Sequence, residues 1–240
     1  MLNPFIVEEC RRFNVPGNLI ATNAPETYSQ TAEDVIVEAL IGAIVIKAPP
    51  LAGVYYLEIG ANHPIQTSNT YLLYKKFNAQ GVLFEADAEL IGQLKQVRPR
   101  DTVVHTAVSA RRDPTVVLNV SRAKELSSLD ANHVKSFAAM GEIAQIQQQV
   151  EVPNMHIDEL LSTYGQRSIQ YMSIDVEGED LPIMQAIDFD RYRPWILSCE
   201  PSAQVHPKNP QQMYEVMARA GYSLIARTQV NMLFLDKRWI

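Results

Sequence analysis

The sequence is poor in glycine, cysteine and basic charge, and each shortage excludes a class of protein. Only ten of the 240 residues are glycine, and no G-x-G-x-x-G pattern is present to close a backbone turn on a pyrophosphate. The two cysteines, Cys10 and Cys199, are too few for a disulfide framework or a cysteine-ligated metal cluster. The formal net charge of -6 leaves no basic field for nucleic acid or anionic lipid, so we expect neither as a partner.

The chain also has no long apolar run. The longest, residues 35–45, is interrupted by Glu38 and is too short for a bilayer, which needs roughly 20 residues. The first residues carry acids and arginines rather than the apolar centre of a secretory signal. We therefore expect a cytoplasmic protein without a membrane span.

What the chain does have is a repeated alternation of apolar runs and helical patterns. With 47% hydrophobic and 20% charged residues it has the composition of an ordinary globular protein. The runs are continuous rather than alternating, which is typical of parallel strands covered on both faces. They predict a doubly wound, mostly parallel seven-stranded α/β sheet. We expect residues 1–50 to form an N-terminal extension with a helix and residues 51–240 to form the main domain.

Two segments depart from this alternation. Residues 115–152 combine a β-like piece with a polar, glutamine-rich stretch that we interpret as a helix, and the whole as an insertion that covers the ligand edge of the sheet. A solvated surface excursion is the alternative. The last two runs, joined only by residues 227–230, have no room for a crossover helix and must pair as an antiparallel hairpin.

The most informative stretch is residues 55–64, Tyr-Tyr-Leu-Glu-Ile-Gly-Ala-Asn-His-Pro. A buried strand, a tight turn at Gly60, a helix and a second strand ending in Glu85 make the opening βαβ unit of a nucleotide-type site. Glu85 follows Gly60 at close to the spacing of about 20 residues at which a carboxylate meets ribose hydroxyls. One glycine, rather than three, suits a cofactor without phosphates, and S-adenosylmethionine has that chemistry. Asp87 is expected to cap the next helix.

Acids follow two later strands. Asp175 and Glu200 each come directly after an apolar run, so both should project from the carboxyl edge of the sheet, where open α/β folds bind ligands. They could hold a divalent cation such as Mg²⁺ through oxygen ligands, or one could act as a base. His63, after the cofactor turn, is the best-placed imidazole, although a hydrogen-bonded turn histidine is an equal alternative.

Four segments, in order, resemble the FkbM family of S-adenosylmethionine-dependent methyltransferases. Residues 28–34 resemble its SQ-x-x-ED element, and residues 58–64 with 68–72 resemble its D-x-G-A-N/H-x-P and SNTYL block. Residues 174–179, Ile-Asp-Val-Glu-Gly-Glu, resemble a third block, and residues 231–234 its terminal strand. Two positions depart from the pattern, because Glu58 replaces the commoner Asp and Ser173 stands where Lys is common.

The resemblance implies roles for individual residues. Gly60 and Ala61 would give backbone amides to the methionine end of the cofactor, Glu58 would orient that end, Glu85 would bind the ribose, and Thr106 with Ala107 would lie along adenine. The full cofactor-binding set expected is Glu58, Gly60, Ala61, Asn62, Ser68, Asn69, Thr70, Glu85, Ala86, Thr106, Ala107 and Asp175. The catalytic set is Asp175, His63 and Glu200, of which Asp175 and Glu200 are also the candidate metal ligands.

The resulting expectation is an O-methyltransferase acting on a hydroxyl of a sugar, glycoconjugate or polyketide-type small molecule. A non-catalytic nucleotide-binding or scaffold domain on the same fold is one alternative, because a fold does not fix a function. An NAD-dependent oxidoreductase is a second, weakened by the absent G-x-G-x-x-G pattern. The oligomeric state stays open.

Overall fold

A computed structural model describes residues 26–137, 141–142 and 145–240. Its strands are β1 (Tyr55–Ile59), β2 (Gln80–Glu85), β3 (Thr102–His105), β4 (Ala107–Ser109), β5 (Thr115–Ser121), β6 (Ile146–His156), β7 (Tyr171–Ile174), β8 (Ile196–Cys199), β9 (Tyr222–Arg227) and β10 (Met232–Asp236). Its helices are α1 (Glu33–Lys47), α2 (Tyr71–Lys76), α3 (Ala88–Val97), α4 (Ala131–Ser136), α5 (Ile157–Tyr164), α6 (Asp180–Ala186) and α7 (Asn209–Arg219). The expectations for Cys10 and for residues 1–25 lie outside the described residues.

Seven strands form the central sheet in the order β3-β2-β1-β7-β8-β10-β9. The first five are parallel, while β10 runs antiparallel to both β8 and β9. The predicted fold class, including the antiparallel terminal hairpin, is confirmed. The strand order reverses between β1 and β7, so their carboxyl ends open a crevice at the place where such sheets bind ligands.

Alternate side chains of each strand enter two separate cores. Leu57, Ile59 and Met172 pack with α5, α6 and α7 on one face, whereas Tyr56 and Tyr171 pack on the opposite face with α1 and α2. Because successive strand residues point to opposite faces, Glu58 between Leu57 and Ile59 belongs to the second face. The side chain of Glu58 therefore lies on the face of the sheet that α1 and α2 cover.

Helix α1 belongs to the same core as the sheet. Val37 and Ile41 are fully buried and lie in the cluster that contains Tyr56 and Tyr171. In the first turn of the helix, the carboxylate of Asp34 accepts hydrogen bonds from the backbone N–H of Tyr28 and from the hydroxyls of Thr27 and Ser29, which holds residues 27–29 against the helix start. The expected domain boundary near residue 50 stays a prediction.

The insertion differs from its expected structure in one respect. Strand β5 confirms the β-like piece, but the glutamine-rich stretch lies in strand β6 rather than in a helix. Residues 115–121 pair antiparallel with residues 146–153, and β6 continues into parallel pairing with β4. A partner strand supplies the backbone hydrogen bonds that a helix would have made internally, and tertiary pairing thus overrides the helix propensity of glutamine.

Among the described residues, no helix is both long enough and apolar enough to cross a bilayer.

Candidate active site

A cleft of about 850 Å³, part of it open to solvent, lies at the carboxyl ends of β1, β2 and β7, beneath the insertion. The insertion supplies one wall, and the strand ends with the turn after β1 supply the other. The sequence-predicted residues that line the strand-end wall are Gly60, Ala61, Asn62, Asn69, Glu85, Ala86, Thr106, Ala107 and Asp175. The lining does not include Glu58, His63, Ser68, Thr70 or Glu200.

The turn after β1 requires glycine for two reasons. Gly60 has a φ of 85°, and a Cβ added to it would lie 1.8 Å from the carbonyl oxygen of Asp175. The N–H groups of Gly60 and Ala61 both donate to the carbonyl of Phe84 at 3.0 Å. This corrects the expectation that these two amides face the cofactor, since they extend the pairing between β1 and β2 instead. Because Gly60 has no side chain, the turn leaves this part of the cleft open to a ligand.

Glu85 is buried at the end of β2 and lies on the cleft wall. Its Oε2 accepts from the backbone N–H of Asn62 and its Oε1 from that of Asp87, both at 2.7 Å. Burial raises the pKa of the Glu85 carboxyl, and these backbone donors oppose the rise. Each oxygen keeps a further lone pair, so the carboxylate can still accept two hydroxyl protons.

The wall beside Glu85 is mostly apolar, because Ala86, Thr106, Ala107 and Val108 line it. Their expected contact with adenine stays a prediction. Asp87 caps α3 by accepting from the N–H of Glu89 at 2.9 Å, and this predicted cap is confirmed.

Glu58 points away from the cleft. Its carboxylate accepts from the Asn69 N–H at 2.9 Å, from the Thr70 hydroxyl at 2.5 Å and from the Ser68 hydroxyl at 3.1 Å. Burial raises the pKa of Glu58, while Arg98 and these donors lower it. The expected direct contact of Glu58 with the cofactor is therefore corrected, because strand alternation turns the side chain to the other face. Ser68 and Thr70 lie behind the cleft with it.

His63 also lies off the wall. Its Nδ1 accepts from the backbone N–H groups of Ile65 and Gln66 at 3.1 and 2.9 Å, and its Nε2 lies 3.4 Å from Gln93 Nε2 on α3. Burial lowers the pKa of the imidazole. The structure thus places His63 as a turn-capping histidine, which was the alternative to its catalytic role.

The acids after β7 and β8 come together. Oxygen atoms of Asp175, Glu177 and Glu200 all lie within 4.8 Å of one another. Burial raises the pKa of Asp175 to about 6, and burial with the adjoining carboxylates raises that of Glu200 to about 11. The Asp180 carboxylate links the two strand ends, because it accepts hydrogen bonds from the backbone N–H groups of Val176 and Glu200.

One histidine that the sequence did not single out joins this cluster. His133, on α4 of the insertion, is fully buried and its Nε2 lies 2.7 Å from Glu177 Oε2. Ser128 adds a hydroxyl that donates to the Glu177 carbonyl. Glu177 has a φ of 56° and Gly178 a φ of 105°, and a Cβ at Gly178 would meet the His133 ring at 3.0 Å. The insertion therefore shapes the turn that presents Glu177.

The insertion is also tied to the cofactor side of the cleft. The Nζ of Lys124 lies 2.7 Å from Asp87 Oδ2 and 2.9 Å from Glu89 Oε2. Lys124, Glu125 and Ser128 line the cleft across from the strand ends. The insertion thus contributes side chains to the cleft wall, and its role as a cover stays a prediction.

The sequence profile described as "Methyltransferase FkbM domain" matches residues 58–224. The chain belongs to this family, and it is an S-adenosylmethionine-dependent methyltransferase. The family assignment favours methyl transfer over the scaffold and oxidoreductase alternatives. No curated protein matches the sequence.

Solved structures similar to the chain include three methyltransferases. An O-methyltransferase from Bacillus cereus in complex with S-adenosylhomocysteine is 11% identical with a TM-score of 0.45, the match covering 96% of this chain and 88% of that one. A S-adenosylhomocysteine-bound methyltransferase from Podospora anserina is 10% identical, with coverages of 98% and 88% and a TM-score of 0.43. A TehB-like SAM-dependent methyltransferase from Corynebacterium glutamicum is 14% identical, with coverages of 96% and 97% and a TM-score of 0.41.

Proposed function

We propose that the protein methylates a hydroxyl group of a polar small molecule, such as a sugar, a glycoconjugate or a polyketide-type compound, at the cleft between Gly60 and the acid cluster. The observation that carries this proposal is the position of Asp175. It follows β7, its backbone presses against Gly60, and its side chain belongs both to the cleft wall and to the acid cluster.

The cofactor end of the cleft fits S-adenosylmethionine. Glu85, with its remaining lone pairs, would accept the ribose hydroxyls, and the apolar wall of Ala86, Thr106 and Ala107 would lie along adenine. Asn62, Asn69 and Asp175 would surround the methionine end beside the close turn at Gly60. When bound, the cofactor supplies an electrophilic methyl group that needs no activation by the protein.

The protein must therefore align the acceptor and take its proton. An aliphatic hydroxyl has a very high pKa, so the proton has to leave as the new O–CH3 bond forms, and general-base help is typically worth about 10²–10⁴-fold. Asp175 is the proposed acceptor of that proton, because its pKa is raised to about 6 and it stays ionised near neutral pH. Glu200, whose pKa is raised further, would be protonated and donate to Asp175.

A divalent cation is a second candidate for the same step. Three carboxylates with oxygens within 4.8 Å offer the hard oxygen donors that Mg²⁺ binds. A cation there would lower the pKa of the acceptor hydroxyl directly. Sensitivity to a chelator, restored by magnesium, would favour the cation over the base.

The acceptor class is supported by polar side chains on the wall that the insertion supplies. Glu125, Ser127 and Ser128 line the cleft there, and Gln30 adds a side-chain amide. Hydroxyls and amides of this kind suit a substrate with several hydroxyl groups.

A panel assay tests the proposal. The protein with S-adenosylmethionine is incubated with sugars, glycosides, polyketide-type alcohols, phenols and amines, and methylated products are detected by mass spectrometry. Mass gain on aliphatic hydroxyl compounds is expected. Methylation restricted to amines, or to phenols with their lower pKa, would reject the proposed acceptor class.

A further inference from the structure

A buried arginine that plays no part in the proposed chemistry has every donor in use. Arg98, at the C-terminal end of α3, has a side chain with no exposed surface. Its Nε donates to Asp101 at 2.8 Å. The remaining contacts are with the Pro64 carbonyl at 3.1 Å, Ser68 Oγ at 3.4 Å, the Tyr56 hydroxyl at 2.7 Å and Thr70 Oγ1 at 3.0 Å. These contacts match the five N–H groups of a guanidinium.

Three of these five contacts hold one loop, residues 64–70, from behind. Glu58 holds the same loop through Ser68, Asn69 and Thr70. The Thr70 hydroxyl bridges the two charges, because it donates to Glu58 and accepts from Arg98. The Ser68 hydroxyl makes a second bridge of the same kind with longer distances. A buried cation and a buried anion are thus joined through the loop.

The side of this loop that faces away from Arg98 lines the cleft. Thr67 and Asn69 line the cleft wall, and the side-chain amide of Asn69 donates to Ser173 Oγ at 3.1 Å. Thr67 has a φ of 61°, a conformation that a β-branched residue rarely adopts. Strain of this kind persists only where the surroundings over-determine the backbone. Arg98 holds the chain on both sides of Thr67, at Pro64 and at Ser68.

We infer that Arg98 is a positioning residue for the methyl-transfer site, acting through the Thr70 hydroxyl and Glu58 to fix Thr67 and Asn69 against the bound cofactor. The inference rests on the proposed placement of the cofactor in this cleft. It assigns Glu58 the same task, since Glu58 binds the same loop through Ser68, Asn69 and Thr70. A lysine could not replace Arg98, since an ammonium group lacks the planar fork that reaches Pro64, Ser68 and Thr70 together.

Substitutions at Thr70 remove the shorter bridge without removing either charged side chain. Thr70→Val keeps the shape of the side chain but removes the hydroxyl, whereas Thr70→Ser keeps the hydroxyl. Arg98→Lys tests the fork itself. Arg193→Met is the control, because Arg193 pairs with Asp236 at the opposite end of the sheet and contacts no cleft residue.

The measurement is calorimetric titration of each folded variant with S-adenosylhomocysteine, alongside its urea unfolding midpoint. Thr70→Val and Arg98→Lys are expected to weaken binding at least about tenfold, or about 1.4 kcal/mol, with Thr70→Ser within about twofold of wild type. Arg193→Met is expected to lower the unfolding midpoint without changing the affinity.

Wild-type affinity in Thr70→Val would overturn the inference, and that variant decides if Arg98→Lys does not fold. A loss of affinity in Arg193→Met as large as that in Thr70→Val would also overturn it, because a loss of stability would then account for both. Failure of the wild-type protein to bind would instead reject the proposed placement of the cofactor.

Discussion

Buried carboxylates lie on both the cofactor side and the acid side of the site, but the groups that surround them differ. On the cofactor side, Glu58 and Glu85 accept hydrogen bonds from backbone N–H groups and hydroxyls. On the acid side, oxygens of Asp175, Glu177 and Glu200 lie within 4.8 Å of one another, and no lysine or arginine of the described residues forms an ion pair with them.

These two surroundings suit two different tasks, ligand binding on the cofactor side and catalysis on the acid side. Carboxylates that accept several backbone and hydroxyl donors are fixed in place, and these donors oppose the rise in pKa that burial causes, which suits the recognition of a ligand. Crowded carboxylates without cations have raised pKa values and can exchange protons or bind a cation, which suits catalysis. The comparison predicts that substitutions on the acid side change turnover and that those on the cofactor side change affinity.

The largest effect is expected from Asp175→Asn, which keeps the shape of the side chain but removes its charge. Turnover should fall by at least about 10²-fold, with S-adenosylhomocysteine affinity within a few-fold of wild type. Initial rates on an acceptor from the panel and calorimetry measure the two quantities, with exposed Asp113→Asn as the control. Full activity in Asp175→Asn would remove both the base role and the cation role.

The matching change on the cofactor side is Glu85→Ala. It should weaken S-adenosylhomocysteine binding by about 1–3 kcal/mol, because the ribose hydroxyls lose their acceptor. Calorimetry measures the loss, and Glu159→Ala on the surface of α5 serves as the control. Unchanged affinity in a folded Glu85→Ala would show that the ribose assignment is wrong.

A smaller effect should appear in the pH dependence of stability. The folded-state pKa of Glu200, about 11, lies above its reference value of 4.5, so the folded protein binds the additional proton. The stability contributed by this group is complete below pH about 4.5 and is lost as the pH rises. One proton supplies at most about 1.4 kcal/mol per pH unit.

Glu200→Gln should therefore flatten the decline in the free energy of unfolding between pH 5 and 9. Urea unfolding across this range measures it, with exposed Glu215→Gln on α7 for comparison. A variant whose pH dependence equals that of wild type would contradict the protonated state proposed for Glu200.

The smallest effect is expected where the insertion crosses to the cofactor side. Lys124 is partly exposed, and a pair of this kind contributes roughly 0–1 kcal/mol. Lys124→Met should speed amide exchange in residues 115–137 while changing cofactor affinity at most about threefold. Lys95→Met, at an exposed lysine of α3, is the control and should leave this exchange unchanged. Exchange as slow as in wild type would indicate that other contacts, such as that of His133, hold the insertion.

Much of the fold follows from the sequence because its signals are local. Continuous apolar runs identify the parallel strands, and the short link at residues 227–230 leaves no alternative to a hairpin. The strand assignment of β6 could not be predicted in the same way. Its hydrogen bonds depend on pairing with β5, a partner distant in the chain.

The site was predicted in part for similar reasons. The position of Glu85 and Asp175 at strand ends follows from topology. The direction of Glu58 was open to prediction from strand alternation, since Leu57 and Ile59 on either side fill one core. The role of Arg98 was not, because an arginine at a helix end normally indicates solvent, and only the assembled loop shows its partners.

Amide hydrogen exchange with and without S-adenosylhomocysteine tests whether the cofactor binds between the turn at Gly60 and the end of β2. We expect slower exchange in residues 60–70 and 85–90 with S-adenosylhomocysteine, and no such change when NAD is added instead. Unchanged exchange in both segments at saturating S-adenosylhomocysteine, or equal protection by NAD, would contradict this placement.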